Sequence, residues 1–315
     1  MIMAEFHHRY MNTFVSTSGI NPPDAQRVFD RMAAAEQRYS RFTVNSELSR
    51  VNGQAGQETP VSQSFAALFF EALRFYAETD GIFNPFLGNV MRSIGYDRSF
   101  EQVDRHHALR HNVPPTAKQS SFTFDLEKQT ITLPADIALD FGGIAKGWTV
   151  QSAAQSLLSM SRPRGLINAG GDLMGWTDSD HAQWKIDGSH PFSDHQSIGR
   201  IAFDSGQLGV ATSSTIKRSW SDGTQLLHHL IDPRTGLPAA SNIIQATVAG
   251  PKLLPCEIYA KCLLILGSSQ GPAWLAAKHP ELSYVFVDQS GKITASEATN
   301  MPHIRVVFLK QIDIP

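Results

Sequence analysis

Strand-like and helix-like segments follow one another in this chain without a βαβ rhythm, and several strand pairs are joined by short turns. That pattern limits the fold more than any other feature of the sequence. FTFDLEKQTITLP alternates apolar and polar residues about a turn at Glu127-Lys128 and reads as a hairpin. YVFVDQSGKITAS reads as a second hairpin, and RIAFDSGQLGVATSS as strand, turn, strand. Residues 9–17 (RYMNTFVST), GLINAGGDLMGW, WKIDGSH, IIQATVAG and IRVVFLK supply further strands. The helical period of 3.6 predicts a helix from Pro23 to Tyr39, with Val28, Met32, Ala35 and Tyr39 on one stripe. A short helix opens near Ser46. Residues 62–79 form a longer one whose buried face carries Phe65, Leu68, Phe69, Ala72, Leu73 and Tyr76, ended by Asp80-Gly81. IFNPFLGNVMRSIGYD, broken by Pro and Gly, reads as a structured loop with a helical turn. TVQSAAQSLLSM and residues 254–267 are the remaining helices. Adjacent hairpins need antiparallel neighbours, so the expected class is α+β: a mixed, largely antiparallel sheet with flanking helices, not a Rossmann fold.

The 315 residues suffice for one large domain or two packed lobes. The lobe boundary is expected in residues 98–121, a charged, His-rich, Pro-containing stretch that reads as a surface excursion. With 42% apolar and 18% charged residues the chain has material for a core. A formal charge of −2 gives no support to nucleic-acid binding. Cys256 and Cys262 fall in one helix on different faces, which suits small core residues rather than a disulfide or zinc site. The opening MIMAEFHHRYMNTF has no basic, apolar or small-residue signal regions, and no apolar run approaches the ~20 residues of a membrane helix. A cytoplasmic protein without a membrane segment is the expectation.

Five segments carry candidate chemistry. Leu139-Asp140-Phe141-Gly142-Gly143-Ile144-Ala145-Lys146-Gly147 is a glycine turn leading into a helix, where free N–H groups and the helix dipole favour an anion such as phosphate. It is neither a Walker A loop nor GxGxxG, and a tight turn needing small residues explains it equally well. Asn168-Ala169-Gly170-Gly171-Asp172-Leu173 fits either a ligand-approaching turn or a glycine bulge. Ala211-Thr212-Ser213-Ser214 offers hydroxyls to phosphate or ribose, or is a polar strand end. His228-His229-Leu230-Ile231-Asp232-Pro233-Arg234-Thr235-Gly236 crowds a possible base and an orienting carboxylate into what is also plain turn chemistry. Glu257 and Lys261, at i and i+4 with the acid first, would be an ordinary surface pair, but Leu253, Leu254, Leu263, Leu264, Ile265 and Leu266 flank them and bury the helix.

In this order, SRFTVNSELSRVN, GIFNPF, LDFGGIAKGW, LINAGGDL, VATSS, HHLIDPRTGLPA and the Glu–Lys helix resemble the ApbE family of flavin transferases from about Tyr10 to Gly267. The resemblance implies an ApbE-like fold with FAD in a cleft. It implies transfer of FMN from FAD to a Thr or Ser hydroxyl of an acceptor protein with release of AMP, FAD pyrophosphatase activity or non-catalytic FAD binding being the alternatives. By the same resemblance, Met11, Phe42, Ile82, Phe83, Asn84, Asp140, Lys146 and Ile231 are FAD contacts. His229 is the base, and the carbonyl of Gly143 and Glu257 are metal ligands for Mg²⁺. Three positions depart from the family pattern. Asn84 stands where Asp is usual. Glu257 and Lys261 stand where the family has Asp and Thr on its metal-binding helix. A protonated lysine cannot ligate a cation. Either Lys261 lies against the FAD pyrophosphate in the metal's place, held by Glu257, or a weaker magnesium site remains.

Overall fold

The computed structural model describes residues 5–102, 122–221, 226–296 and 303–314. The expected excursion falls largely in residues 103–121, outside the described set. The chain divides into two compact units, one made of residues 1–32, 146–217 and 241–315, the other of residues 33–145 and 218–240.

The first unit is built on an eight-stranded sheet. Its spatial order is Glu5–Tyr10, Thr13–Ser18, Gly165–Ala169, Asp172–Thr177, Gly206–Ser214, Ile243–Gly250, Ser283–Asp288 and Ile293–Ser296. Every strand pairing among the described residues is antiparallel. The α+β expectation therefore holds. Residues 9–17 are not one strand. Met11 (φ 51) and Asn12 (φ 55) turn the chain back, so the segment is the tip of a hairpin whose ends pair Glu5 with Ser18. RIAFDSGQLGVATSS is strand, turn, strand as expected, but its halves join different sheets. Ser193–Phe203 pairs with Trp184–His190 and Ile304–Phe308, whereas Gly206–Ser214 enters the large sheet. Leu173, Trp184, Ile201, Phe203, Leu208, Val210 and Ala249 pack between these layers.

Against the large sheet lies the helix Leu253–Lys278, which touches strands Gly206–Ser214 and Ile243–Gly250. It is two helices end to end, because Gly267 breaks it at φ 74 and ψ 174. The expected end at residue 267 is therefore a real break, and a second helix follows directly. Cys256 and Cys262 are both buried and unbridged. Burial pushes the Cys256 thiol well above its ordinary range. Among the described residues no helix is long and apolar enough to cross a membrane.

The second unit is helical, with a three-stranded sheet of Thr123–Asp125, Thr130–Thr132 and Thr59–Pro60. Its longest helix runs Gln63–Glu78. Ser62 caps it by accepting from the Phe65 N–H, and Asp80 (φ 54) and Gly81 (φ 80) end it. Phe65, Leu68, Phe69 and Ala72 are buried as the period requires. Phe75 is buried too, while Leu73 and Tyr76 are half-buried, so the apolar stripe is wider than the sequence reading drew it. Ser46 caps the short helix Glu47–Gly53 in the same way, accepting from Ser49. A further turn of helix spans Gly88–Ser93. Phe65, Phe69, Phe86 and Phe141 form an aromatic core, with ring centroids 5.2 Å apart for Phe65 and Phe141. A second cluster gathers Val90, Met91, Ile94, Tyr96, Trp220, Leu227 and Ile231.

Candidate functional site

The predicted residues fall into one group in each unit. In the first unit, Lys146, Asp172, Glu257 and Lys261 come together. Lys146 lies in the first turn of the helix Ala145–Ser159, directly after the glycine turn. Asp172 opens the strand Asp172–Thr177, reached through Gly170 (φ 66) and Gly171 (φ 97), a pair of left-handed positions that glycine adopts freely. Glu257 and Lys261 lie one turn apart on the late helix. That helix is anchored where Gln151 accepts the Leu254 N–H at 2.9 Å.

Glu257 is the hub of this group. Its Oε2 accepts the N–H of Gly147 at 2.9 Å. Its Oε1 lies 3.3 Å from the Lys261 ammonium and 3.6 Å from that of Lys146. Lys146 also forms an ion pair with Asp172. Two ammoniums and two carboxylates thus neutralise one another in a mostly buried site. Burial alone would push the Glu257 carboxyl upward, but Lys261, then Lys146, then the Gly147 hydrogen bond outweigh it and hold the group below the usual glutamate range. The glutamate is ionised at neutral pH.

Gly147 is required by this contact and not by its own backbone, since neither it nor Gly142 or Gly143 has a positive φ. The sequence reading allowed those glycines a positive φ or a close backbone approach; close approach is the reason at Gly147. A Cβ there would sit 2.5 Å from Glu257 Oε2. Gly147→Ala should lower stability by about 1–3 kcal/mol as an overpacked, partly broken pair. Urea unfolding of the variant beside Gly142→Ala, which would meet only the Asp140 carboxylate, checks this; equal midpoints would refute it.

Met11, also in this unit, is the half-buried turn residue of the first hairpin. Thr212 of the VATSS segment shares a hydrogen bond with Thr247 at 2.9 Å, as a strand hydroxyl does.

The second unit holds the other group. Asp140 Oδ1 accepts the Gly142 N–H at 2.6 Å, folding the glycine turn, while Oδ2 lies 2.5 Å from Arg41 Nε. Arg41 was not singled out from the sequence. Its guanidinium lies 4.2 Å from the ring centre of Phe42 and 4.5 Å from that of Tyr96, and it donates to the Tyr96 carbonyl. Phe42, Tyr96, Arg41 and Asp140 therefore form one aromatic and charged cluster. Ile82, Phe83 and Asn84 are buried in the segment after the long helix. There Thr79 Oγ1 accepts the Phe83 N–H at 3.0 Å, and Asn84 Oδ1 accepts the Phe86 N–H at 2.8 Å. Asn84 is thus a turn-forming side chain whose acceptor atom is already used, and a carboxylate would serve that bond equally. Gly143 is half-buried. Arg41, Asn52, Arg92, Asp97 and Leu139 line a cavity of about 180 Å³. That is smaller than the ~300–1,000 Å³ of ordinary ligand pockets, so by itself it is a polar notch.

His229 follows the strand Leu226–His228, half-buried, with its ring edge-on to Tyr96 at 6.4 Å between centroids. Ile231 is buried in the adjoining cluster. The two histidines of this segment differ. His228 is buried and neutral: its Nδ1 accepts the Leu230 N–H at 3.3 Å, which puts its own proton on Nε2, 3.2 Å from the Ala239 carbonyl. Burial holds its pKa down, the two backbone bonds pulling the other way. The Asp232 carboxylate, a candidate to orient a histidine, binds Arg234 instead, through the backbone N–H at 2.9 Å and the guanidinium at 2.7 Å.

A divalent ion does not suit the first group. Magnesium asks for six oxygens at about 2.0–2.1 Å. Among the described residues no group of three or more His, Cys, Asp or Glu could hold a metal. Both Glu257 oxygens are engaged, and an ion bound to Oε1 would lie within roughly 5 Å of an ammonium, a repulsion of about 7 kcal/mol at an effective dielectric of 20.

The sequence profile of the ApbE family matches residues 10–286. An FAD:protein FMN transferase of Vibrio cholerae is 27% identical over 271 residues, covering 82% of this chain and 78% of that protein. One of Treponema pallidum is 25% identical over 299 residues, covering 86% and 78%. Among solved structures, the ApbE protein of Thermotoga maritima superposes with a TM-score of 0.84 at 23% identity, over 96% of this chain and 99% of that one. The flavin transferase ApbE of Vibrio cholerae superposes with a TM-score of 0.73 at 22% identity, over 94% and 98%. These structures share the fold.

Proposed function

This chain belongs to the ApbE family, and on that premise we propose that it is an FAD:protein FMN transferase. It takes FAD as flavin donor and moves FMN to a Thr or Ser hydroxyl of an acceptor protein. The observation that carries the reading is the likeness, over 82% of this chain, to a relative that bears that name.

In the reaction the acceptor oxygen forms a bond to the FMN-side phosphorus, the bond from that phosphorus to the bridging oxygen breaks, and AMP leaves with the electron pair. His229 takes the hydroxyl proton. An imidazole is the side chain whose ordinary pKa suits that transfer near neutral pH. Asp140, held by Arg41, fixes the glycine turn that leads into the helix Ala145–Ser159. The N-terminus of that helix, with Lys146, favours the diphosphate. Phe42, Ile82, Phe83, Asn84, Ile231 and Met11 supply flavin and nucleotide contacts. Glu257, with both oxygens engaged by Gly147 and two ammoniums, fits magnesium poorly.

The test is to incubate the protein with FAD and a threonine-bearing acceptor peptide and to follow AMP and the peptide mass. Peptide gaining the mass of FMN, with AMP in equal amount, is the expected result. AMP with free FMN and unmodified peptide would make the chain a pyrophosphatase. Intact FAD in all conditions would leave a binding protein.

A further inference from the structure

We propose that the Lys261 ammonium takes the place of a divalent cation in this chain, so that Lys261 and Lys146 meet the diphosphate of the bound dinucleotide without a metal ion. The inference rests on the FAD-binding reading above and adds how that site handles charge.

The arrangement of the four charged groups carries it. The carboxylates lie at the back: the side chains of Glu257 and Asp172 are 1% and 4% exposed. The ammoniums lie in front, with Lys146 14% and Lys261 15% exposed. The quartet is neutral in sum, but the face it offers to solvent is cationic. Such a face attracts a diphosphate and repels Mg²⁺. Lys261 is also held in a definite direction. It donates to the Glu257 carbonyl at 3.2 Å and to Glu257 Oε1 at 3.3 Å. An ammonium has three N–H donors, so these two bonds leave one for a ligand. Glu257 in turn is fixed by Gly147. The lysine is therefore preorganised by a buried carboxylate, as a bound ion would be by its ligands.

The experiment has a metal arm and a nucleotide arm. In the first, Mn²⁺ alone is titrated into the protein and followed by electron paramagnetic resonance. In the second, FAD affinity is measured by flavin fluorescence in EDTA and in millimolar magnesium, for the native chain, Lys261→Thr and Lys261→Arg, each checked for native circular dichroism. The expected result is no protein-bound Mn²⁺ signal and equal FAD affinity of the native chain with and without metal. Lys261→Arg should stay near the native value. Lys261→Thr should weaken FAD binding by about tenfold in EDTA and recover part of it with magnesium, since an oxygen then replaces the ammonium beside Glu257. Tight Mn²⁺ binding by the native chain, or about tenfold loss of its FAD affinity in EDTA, would overturn the proposal while leaving the transferase reading intact. Native affinity in Lys261→Thr would overturn it too. Absence of FAD binding in every condition would instead overturn the reading on which it rests, the Mn²⁺ arm still reporting on the metal.

Discussion

Glu257→Ala should cost about 3–5 kcal/mol of stability, the usual price of removing one partner from a buried ion pair. The side chain is 1% exposed, and its loss removes the carboxylate that the Lys146 and Lys261 ammoniums share and leaves the Gly147 N–H without this acceptor. Glu257→Gln keeps the shape and one acceptor oxygen but removes the charge, and should fall between. The effect depends on pH in a defined direction. The Glu257 pKa is depressed in the folded chain. Its ionisation therefore stabilises fully above the ordinary glutamate pKa of about 4.3, and the benefit drains away as pH falls through the lower folded value. The gap in thermal midpoint between the native chain and Glu257→Gln should thus be widest near neutrality and narrow below about pH 4. A gap that is constant with pH, or that closes as pH rises, would show that the charge is not what Glu257 contributes.

How much of this could be read from the sequence depended on how local the cause was. The helix Gln63–Glu78 was legible because its boundary signals sit beside it: Ser62 caps its start, and Asp80-Gly81 supplies two left-handed residues at its end. The first hairpin was not legible. Its turn uses Met11 and Asn12 at positive φ, and methionine gives no warning of that conformation. The burial of Glu257 was readable from the leucines around it. What holds it was not, since Gly147 and Glu257 are 110 residues apart and no period links them. Arg41 was missed for the same reason: an arginine in a loop is unremarkable until the fold lays it between Phe42 and Tyr96 and against Asp140. The family motifs located the chemical segments, and the i,i+4 spacing gave Glu257 as the partner of Lys261; that Lys146 reaches the same carboxylate and that the quartet has a cationic face are properties of packing.

His229→Ala should reduce FMN transfer by about 10²–10⁴-fold while leaving FAD affinity within a small factor of native. The split follows from the role. A base acts only as the acceptor hydroxyl loses its proton, so its removal raises the barrier without weakening the bound dinucleotide. His228→Ala is the informative comparison. His228 is buried, neutral and tied to backbone groups of Leu230 and Ala239, so its loss should lower the unfolding midpoint and leave the turnover of the surviving folded protein near native. The adjacent histidines thus predict opposite signatures, one kinetic and one thermodynamic. Single-turnover transfer to the acceptor peptide, measured beside thermal unfolding for both variants, separates them. Should His229→Ala transfer FMN at the native rate, the acceptor hydroxyl would have to lose its proton elsewhere. Attack would then depend on the positioning and charge neutralisation supplied by the diphosphate-binding groups, which is the larger share of catalysis in most phosphoryl transfers.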